Sequence, residues 1–382
     1  MNYRWRGLTW DHPRGYAALQ AAAQETGLID WHTHSLEGFE SAPIARLCEQ
    51  YDLIVLDHPH LGEALAQGCL QPLDELLPAD TLRAIERDSI GLTYASYHMA
   101  GQQWALPLDA ATQVMATRPD LLAQAGYDVP AQWEDVLRLS RETQRIALSL
   151  AGPHAFLTLL SMCAALDPTL KLDDGKHSHH VQVLRQACEW LVELAALSPA
   201  SVREANPIAL LQHMTSNEDV LLCPLVYGYV NYTRVQSGTA LAFRNAPRVA
   251  SNTPGSILGG TGIAISQRCQ IDNTLVKHLM WLLSADSQTR FIPQHAGQPS
   301  NTASWRDLSV NEASGNFYLN TFDTLCSATL RPRYDGFIAL QTQASAFLRE
   351  ALLSSRSPDY IANELHALCA PRSTISERTR CD

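Results

Sequence analysis

The sequence has no C-x-x-C pair, no H-E-x-x-H helix and no G-x-S-x-G elbow. These absences remove a zinc ribbon, a dithiol redox centre, a zincin and an α/β-hydrolase nucleophile from consideration. No run approaches the ~18 to 20 apolar residues of a membrane span. Basic residues are outnumbered, 28 Lys+Arg against 39 Asp+Glu, for a net charge of -11. That balance argues against broad binding to nucleic acid or to an anionic membrane surface. Low complexity and internal repeats are also missing. What is present is a 382-residue chain, 46% hydrophobic, enough for two domains or one large one.

The first residues, Met1-Asn2-Tyr3-Arg4-Trp5-Arg6, hold no apolar h-region and no small-residue cleavage site. The expectation is a cytoplasmic protein as the sequence stands, or a periplasmic one whose signal has been removed. Nine cysteines stand at 48, 69, 163, 188, 223, 269, 326, 369 and 381. The count is odd and no two are close in sequence, which fits buried free thiols in a reducing compartment.

Periodicity and punctuation give an alternating order. Residues 3–10 read as a strand and 16–26 as a helix closed by Gly27. Residues 28–34 read as a strand, 42–50 as a helix, 52–57 as a strand and 61–67 as a helix closed by Gly68. This β-α order favours a parallel sheet with flanking helices. Val114-Met115-Ala116-Thr117 reads as a strand crossing to a second domain. Helices are expected at 119–125, 133–145, 154–166, 180–197 and 273–283. Strands are expected at 219–224, 227–232 and 257–265. The last third is mostly helical, interrupted at Arg331-Pro332-Arg333-Tyr334, and the tail from Pro371 is polar and frayed.

Several stretches together resemble the extracellular solute-binding proteins of ATP-driven (ABC) importers, in their carbohydrate-type, maltodextrin-binding-like group. Asp52-Leu53-Ile54-Val55-Leu56-Asp57 resembles the family's third strand. Gly101-Gln102-Gln103-Trp104-Ala105-Leu106-Pro107 resembles its hairpin before the first crossover. Gly259-Gly260-Thr261-Gly262-Ile263-Ala264-Ile265 is similar to its glycine-led strand. Gly297-Gln298-Pro299-Ser300 is similar to its G-x-x-P turn. The resemblance implies a type II periplasmic-binding-protein-like fold: two α/β lobes with an interlobe cleft. Lobe one would hold 1–110 and 256–303, and lobe two 111–255 and 304–382. Ligand binding would close the hinge.

Three constellations are candidates for the cleft. The first is Trp10-Asp11-His12-Pro13-Arg14, where an indole, a carboxylate, an imidazole and a guanidinium suit a stacked and hydrogen-bonded sugar. Its plain alternative is a helix start with Asp11 as N-cap. The second is Asp57-His58-Pro59-His60. Asp57 and His58 either hold ligand hydroxyls or form an acid–base pair. In the plain alternative Asp57 caps a helix while His58 and His60 face solvent. The third is Tyr227-Gly228-Tyr229-Val230-Asn231-Tyr232, a polar stacking surface or a packed strand. Trp104 and Asp109 flank the first crossover, and Gly260 with Thr261 would let backbone approach the ligand. His32-Thr33-His34 and His58-Pro59-His60 are the only His-x-His chelate patterns weighed, and no metal site or cofactor is expected. His177-Ser178-His179-His180 reads as a solvated turn.

Asp-His-Pro occurs twice, at 11–13 and 57–59, each after a strand. Parallel neighbours would bring both to one rim. Two functions follow. One is capture of a small polar ligand, sugar or sugar-acid-like, for the membrane subunits of an importer. The other is a cytoplasmic enzyme on the same fold with His12, Asp57 and His58 as acid–base groups. Neither involves nucleic acid or insertion into a membrane.

Overall fold

The computed structural model describes residues 4–169, 177–250 and 252–369, with the side chains of 177–180 left aside. The segment Asp173-Asp174-Gly175 and the tail 371–382 lie outside the described residues. Seven strands form one sheet: β1 (Trp5–Trp10), β2 (Ile29–His34), β3 (Leu53–Leu56), β4 (Ala105–Thr117), β5 (Leu222–Tyr227), β6 (Ala242–Arg244) and β7 (Leu258–Ile265). The order is β2-β1-β3-β7-β4-β5, with β6 also on β4. Only β1 pairs in parallel, with β2 and β3; the remaining pairings are antiparallel.

The central strand of the parallel part, β3, is apolar throughout, whereas the edge strand β2 alternates buried and more exposed residues. All four residues of β3 are buried. Trp5, Leu53, Leu106, Ile263 and Leu279 share one core. A second, on the other side of the sheet, gathers Ile54, Leu61 and Ala105. Two further clusters lie beyond the middle of β4. Met115, Trp133, Leu159 and Leu348 belong to one, Val114, Tyr232, Phe243 and Phe317 to the other. The helix His154–Leu166 buries every residue but the last, which is why it carries almost no charge. Among the described residues no helix is long and apolar enough to cross a membrane.

The 13-residue β4 is the element common to both halves, and all of it is buried. At ~3.3 Å per residue it reaches about 40 Å. Residues 105–112 pair with β7, whereas 113–117 pair with β5 and β6. The register shifts between Pro107 and Asp109 and again between Val114 and Ala116, irregularities that bend a strand. A buried polar network holds the bend. Thr112 Oγ1 donates to the carbonyl of Ile257, Ser256 Oγ donates to that of Gln113, and Ser161 Oγ donates to Gln113 Oε1. Gln298, in the G-x-x-P turn, donates from Nε2 to Ala110 O and accepts from Val230 N.

Some expectations change. The predicted strands 219–224 and 227–232 are one strand, β5, which ends at Tyr227. Gly228 then leaves the ladder, and Val230–Thr233 forms a 3-10 turn. Tyr229 and Asn231 therefore sit on a turn and not in a strand. The first helix begins at Pro13, three residues early, because His12 caps it. Asp11 is not the N-cap: its side chain is exposed, and the His12 ring accepts from Arg14 N instead. A short helix, Leu36–Ser41, was not anticipated. The helix His177–Leu197 begins inside the segment read as a turn.

Gly260 marks the closest approach of β4 and β7. Its φ is +87°, and a Cβ there would lie 2.4 Å from Asp109 O. Gly68 has a φ of +58° with open space around it. Gly68→Ala should cost about 1 kcal/mol from backbone strain alone. Gly260→Ala should cost about 3 kcal/mol or more, since strain and a backbone clash combine. Urea unfolding of the two variants checks this ordering.

Candidate functional site

The ends of β1 and β3, the start of β7 and the end of β5 meet around a cavity of ≈ 60 Å³. Trp10 lines it from the end of β1, Arg14 from the first turn of the following helix and Asp57 from just after β3. Gly259, Gly260 and Thr261 line it from β7, and Tyr227 and Tyr229 from β5 and the turn after it. Leu36, Phe39 and Glu40 reach in from the short helix. Pro153, His154 and Leu157 do so from a buried helix start, and Arg331, Ile338 and Gln341 from the C-terminal part.

Two buried arginines organise this space. Arg14 donates from Nε to Asp109 Oδ2 at 2.8 Å and from Nη2 to Asp109 Oδ1 at 2.5 Å. Its Nη1 donates to Gly228 O at 3.0 Å. The guanidinium lies 4.7 Å from the Tyr229 ring centre and 5.9 Å from that of Trp10. Gly15 makes room for this arrangement, because the Trp10 indole lies where a Cβ would stand. Burial opposes the charge of Arg14, but Asp109 outweighs it and raises the pKa above its ordinary value. Arg331 donates from Nε to Leu258 O at 3.1 Å and from Nη2 to Asp57 Oδ2. Burial alone would raise the Asp57 pKa. Arg331, assisted by His58, outweighs it and holds the carboxyl well below the usual carboxylate range.

The histidines are uncharged at neutral pH for a related reason. Burial lowers His58 to about 4, with Arg331 adding to the shift and Asp57 opposing it. Burial, then Arg14, lowers His12 to about 4. His58 Nδ1 lies 3.2 Å from Asp57 Oδ1, close but not aligned for a hydrogen bond. Likewise His154 Nε2 approaches Glu40 Oε1 at 2.9 Å without hydrogen-bond alignment. Among the described residues of the lining, Tyr227 Oη, Thr261 Oγ1, Gln341 Oε1 and the Nδ1 atoms of His60 and His154 are buried without a hydrogen-bond partner. Buried polar groups are nearly always satisfied, so such a set around one cavity points to a polar guest.

Seven of the residues singled out in the sequence line the cavity: Trp10, Arg14, Asp57, Tyr227, Tyr229, Gly260 and Thr261. Asp109 stands directly behind Arg14. Others lie elsewhere. Asp11 is exposed on the rim. His12 is spent on the helix cap and on an edge contact with Tyr229. His58 is wholly buried behind Asp57, near the ring of Tyr97; His60 is buried as well and does line the cavity, so neither faces solvent. Trp104 donates from Nε1 to Met99 O and packs on a core cluster. Asn231 Nδ2 reaches Ala296 O at 3.4 Å. The two Asp-His-Pro turns do follow neighbouring parallel strands. Their Asp-His pairs nevertheless do not assemble one acid–base centre. Glu40, His154 and Gln341 escaped the sequence reading. Only His154 left a signal, as the one ionisable residue opening an apolar helix.

The architecture can now be compared with known proteins. A family model described as bacterial extracellular solute-binding protein matches residues 49–170. Maltose-bound MalE3 of T. maritima superposes with a TM-score of 0.80 at 16% identity, over 96% of this chain and 98% of that one. Its fold is that of the solute-binding proteins. A solute-binding protein of Agrobacterium vitis S4 with bound D-mannitol gives 0.76 at 16% identity, covering 96% and 97%. One from Agrobacterium radiobacter K84 in complex with ribitol gives 0.75 at 18%, covering 97% and 98%.

Asp109→Asn removes the partner of a buried guanidinium and should cost about 3–5 kcal/mol. The double replacement Arg14→Met with Asp109→Leu should cost much less than the two single changes summed, as read from urea unfolding. A second expectation concerns pH. The folded pKa values of His12 and His58, about 4, lie below the unfolded value near 6.5. The unfolded chain therefore binds these protons first as pH falls. Stability should be flat in this respect above about pH 6.5 and decline between about 6.5 and 4. Each histidine contributes up to about 1.4 kcal/mol per pH unit. The depressed Asp57 adds a further loss once pH falls below the ordinary carboxylate range. His58→Gln should flatten the slope in the upper window.

Proposed function

We propose that this protein captures a small, neutral, polyhydroxylated ligand, a polyol or a single sugar ring, in the cleft and delivers it to the membrane subunits of an ATP-driven importer. The observation that carries this reading is the set of unpartnered polar atoms, among them Tyr227 Oη, Thr261 Oγ1 and Gln341 Oε1, beside the rings of Trp10, Phe39, Tyr227 and Tyr229. Hydroxyls complement such atoms, and the apolar face of a polyol complements aromatic rings.

Charge supports a neutral ligand over a sugar acid. The guanidiniums of Arg14 and Arg331 are already engaged by Asp109 and Asp57. A carboxylate guest would have to compete with those pairs in a buried setting. Size supports a small one, because ≈ 60 Å³ suits one compact molecule and not an oligosaccharide chain. The polyol complexes of similar fold, with ribitol and D-mannitol, support the same class. The matched family model supports a role on the extracellular side of the membrane.

In this reading lobe one comprises 1–110 and 256–303, and lobe two 111–255 and 304–382. The distribution of the core clusters supports that division. The lobes close over the ligand, which leaves unchanged. Trp10, Arg14, Asp57, Tyr227, Tyr229, Gly260 and Thr261 contribute to the site together with Gln341, Glu40, His154 and Arg331.

A thermal-shift screen of neutral polyols, hexoses and the corresponding aldonic acids tests this. A neutral hit should raise the melting temperature by mass action. Calorimetry on Tyr227→Phe and Gln341→Leu should then show affinity reduced about 2- to 12-fold each, the value of one neutral hydrogen bond. Tighter binding of aldonic acids than of their neutral counterparts would overturn the charge argument. Recovery of a chemically altered ligand would overturn the binding role.

A further inference from the structure

The short helix Leu36–Ser41 carries Glu40 to the wall of the cavity. Its side chain is 17% exposed, so protein covers most of it. The fixed charges of the lining besides Glu40 are Arg14, Asp57 and Arg331. Arg14 is neutralised by Asp109, and Asp57 and Arg331 neutralise each other. Among the described residues, no arginine or lysine stands within ion-pair distance of Glu40. Its contact is the His154 imidazole, with Nε2 at 2.9 Å and unaligned.

A carboxylate without a counter-cation needs another source of stabilisation, and its surroundings supply one. Glu40 stands against the start of the 13-residue helix His154–Leu166. Just before that helix, Gly152 has a φ of +56°, and a Cβ there would lie 3.5 Å from Glu40 Oε2. The helix start is fixed from behind: Phe156 N donates to Ser345 Oγ, which donates to Pro153 O. The partial positive charge of a helix N-terminus favours an anion beside it. Arg349 Nη1 donates to Gly152 O and forms no ion pair with Glu40. A dipole therefore holds the carboxylate in place, and its charge is left facing the guest.

We propose that Glu40 is the specificity-determining residue of this cavity, the group that admits polyols and rejects their anionic analogues such as aldonates. The assignment rests on the reading that the cavity takes a small polyhydroxylated ligand. Gln341 Oε1 supports it independently, as a second acceptor on the same wall, buried and unpartnered. Two acceptor-only groups call for donors. A hydroxyl donates to them, whereas an ionised carboxylate has no hydrogen to give. In a cavity of ≈ 60 Å³ a guest has no room to stand far from the wall. Like charges at roughly 5 Å, with an effective dielectric constant of about 20 to 40, weaken binding by about 10- to 300-fold.

The test is calorimetry on the full folded chain with two matched pairs, ribitol with D-ribonate and D-mannitol with D-mannonate. Measurements are made at about pH 8, above the ordinary range of an imidazole. The readout is the ratio of the two dissociation constants, acid over polyol, in the unmutated chain and in Glu40→Gln. The helix Leu36–Ser41 buries none of its residues, so the exchange leaves the core untouched. In Glu40→Gln the ratio should fall by about 10-fold or more, the lower bound of the like-charge repulsion. Glu40→Lys should bring the acid to bind more tightly than its polyol. A merely structural role would weaken both members alike and leave the ratio where it was. A polyol that binds, with a ratio unmoved in both variants, overturns the assignment and leaves the polyol reading standing. Failure of any polyol to bind the unmutated chain overturns that reading and the assignment with it.

Discussion

The bidentate pair between Arg14 and Asp109 is the constraint to which the other features of the centre conform. Both side chains are about 95% buried, so each has given up its hydration. Only close geometry offsets that loss. The offset comes from two parallel hydrogen bonds, a third to Gly228 O, and the faces of Trp10 and Tyr229. Three segments far apart in sequence must therefore coincide: the start of the first helix, the middle of β4 and the turn after β5. The indole of Trp10 on Gly15 and the left-handed Gly260 beside Asp109 are local solutions that let them do so.

The second pair, Arg331 with Asp57, repeats the principle on the opposite side of β7. Together they leave the cleft with strong fields that cancel. Its remaining chemistry is then neutral hydrogen bonding and aromatic surface. This also explains the histidines. His12 and His58 sit beside guanidiniums and under protein, so their protonated forms are disfavoured and they serve as packing and capping groups. Repetition of Asp-His-Pro reflects two strand-to-helix turns of similar construction, each with its own capping residue.

Much of the architecture was legible in the sequence because it rests on local rules. Apolar runs such as 53–56, glycines after helices at 27 and 68, and the glycine-led β7 announce themselves. The lining of the cavity was legible where side chains stand at or just after a strand end, as at Trp10, Arg14 and Asp57. It was not legible where a residue's role depends on a distant partner. His12 and Asp11 are adjacent, yet only the imidazole turns inward, because Tyr229 waits for it across the cleft. Trp104 sits in a recognisable motif, but a neighbouring carbonyl, Met99 O, holds its indole away. Glu40 and Gln341 carry no local mark at all. Their place follows from how the short helix 36–41 and the helix 337–353 close over the β-strand ends.

The single strand β4 has a thermodynamic meaning as well as a geometric one. Its first eight residues complete one half of the sheet and its last five the other, and it is buried along its whole length. Neither half can release this strand without exposing the backbone edge of its neighbour. The two halves of the sheet thus share one cooperative unit, so that global unfolding is a joint event: neither core can melt while the other keeps its strand.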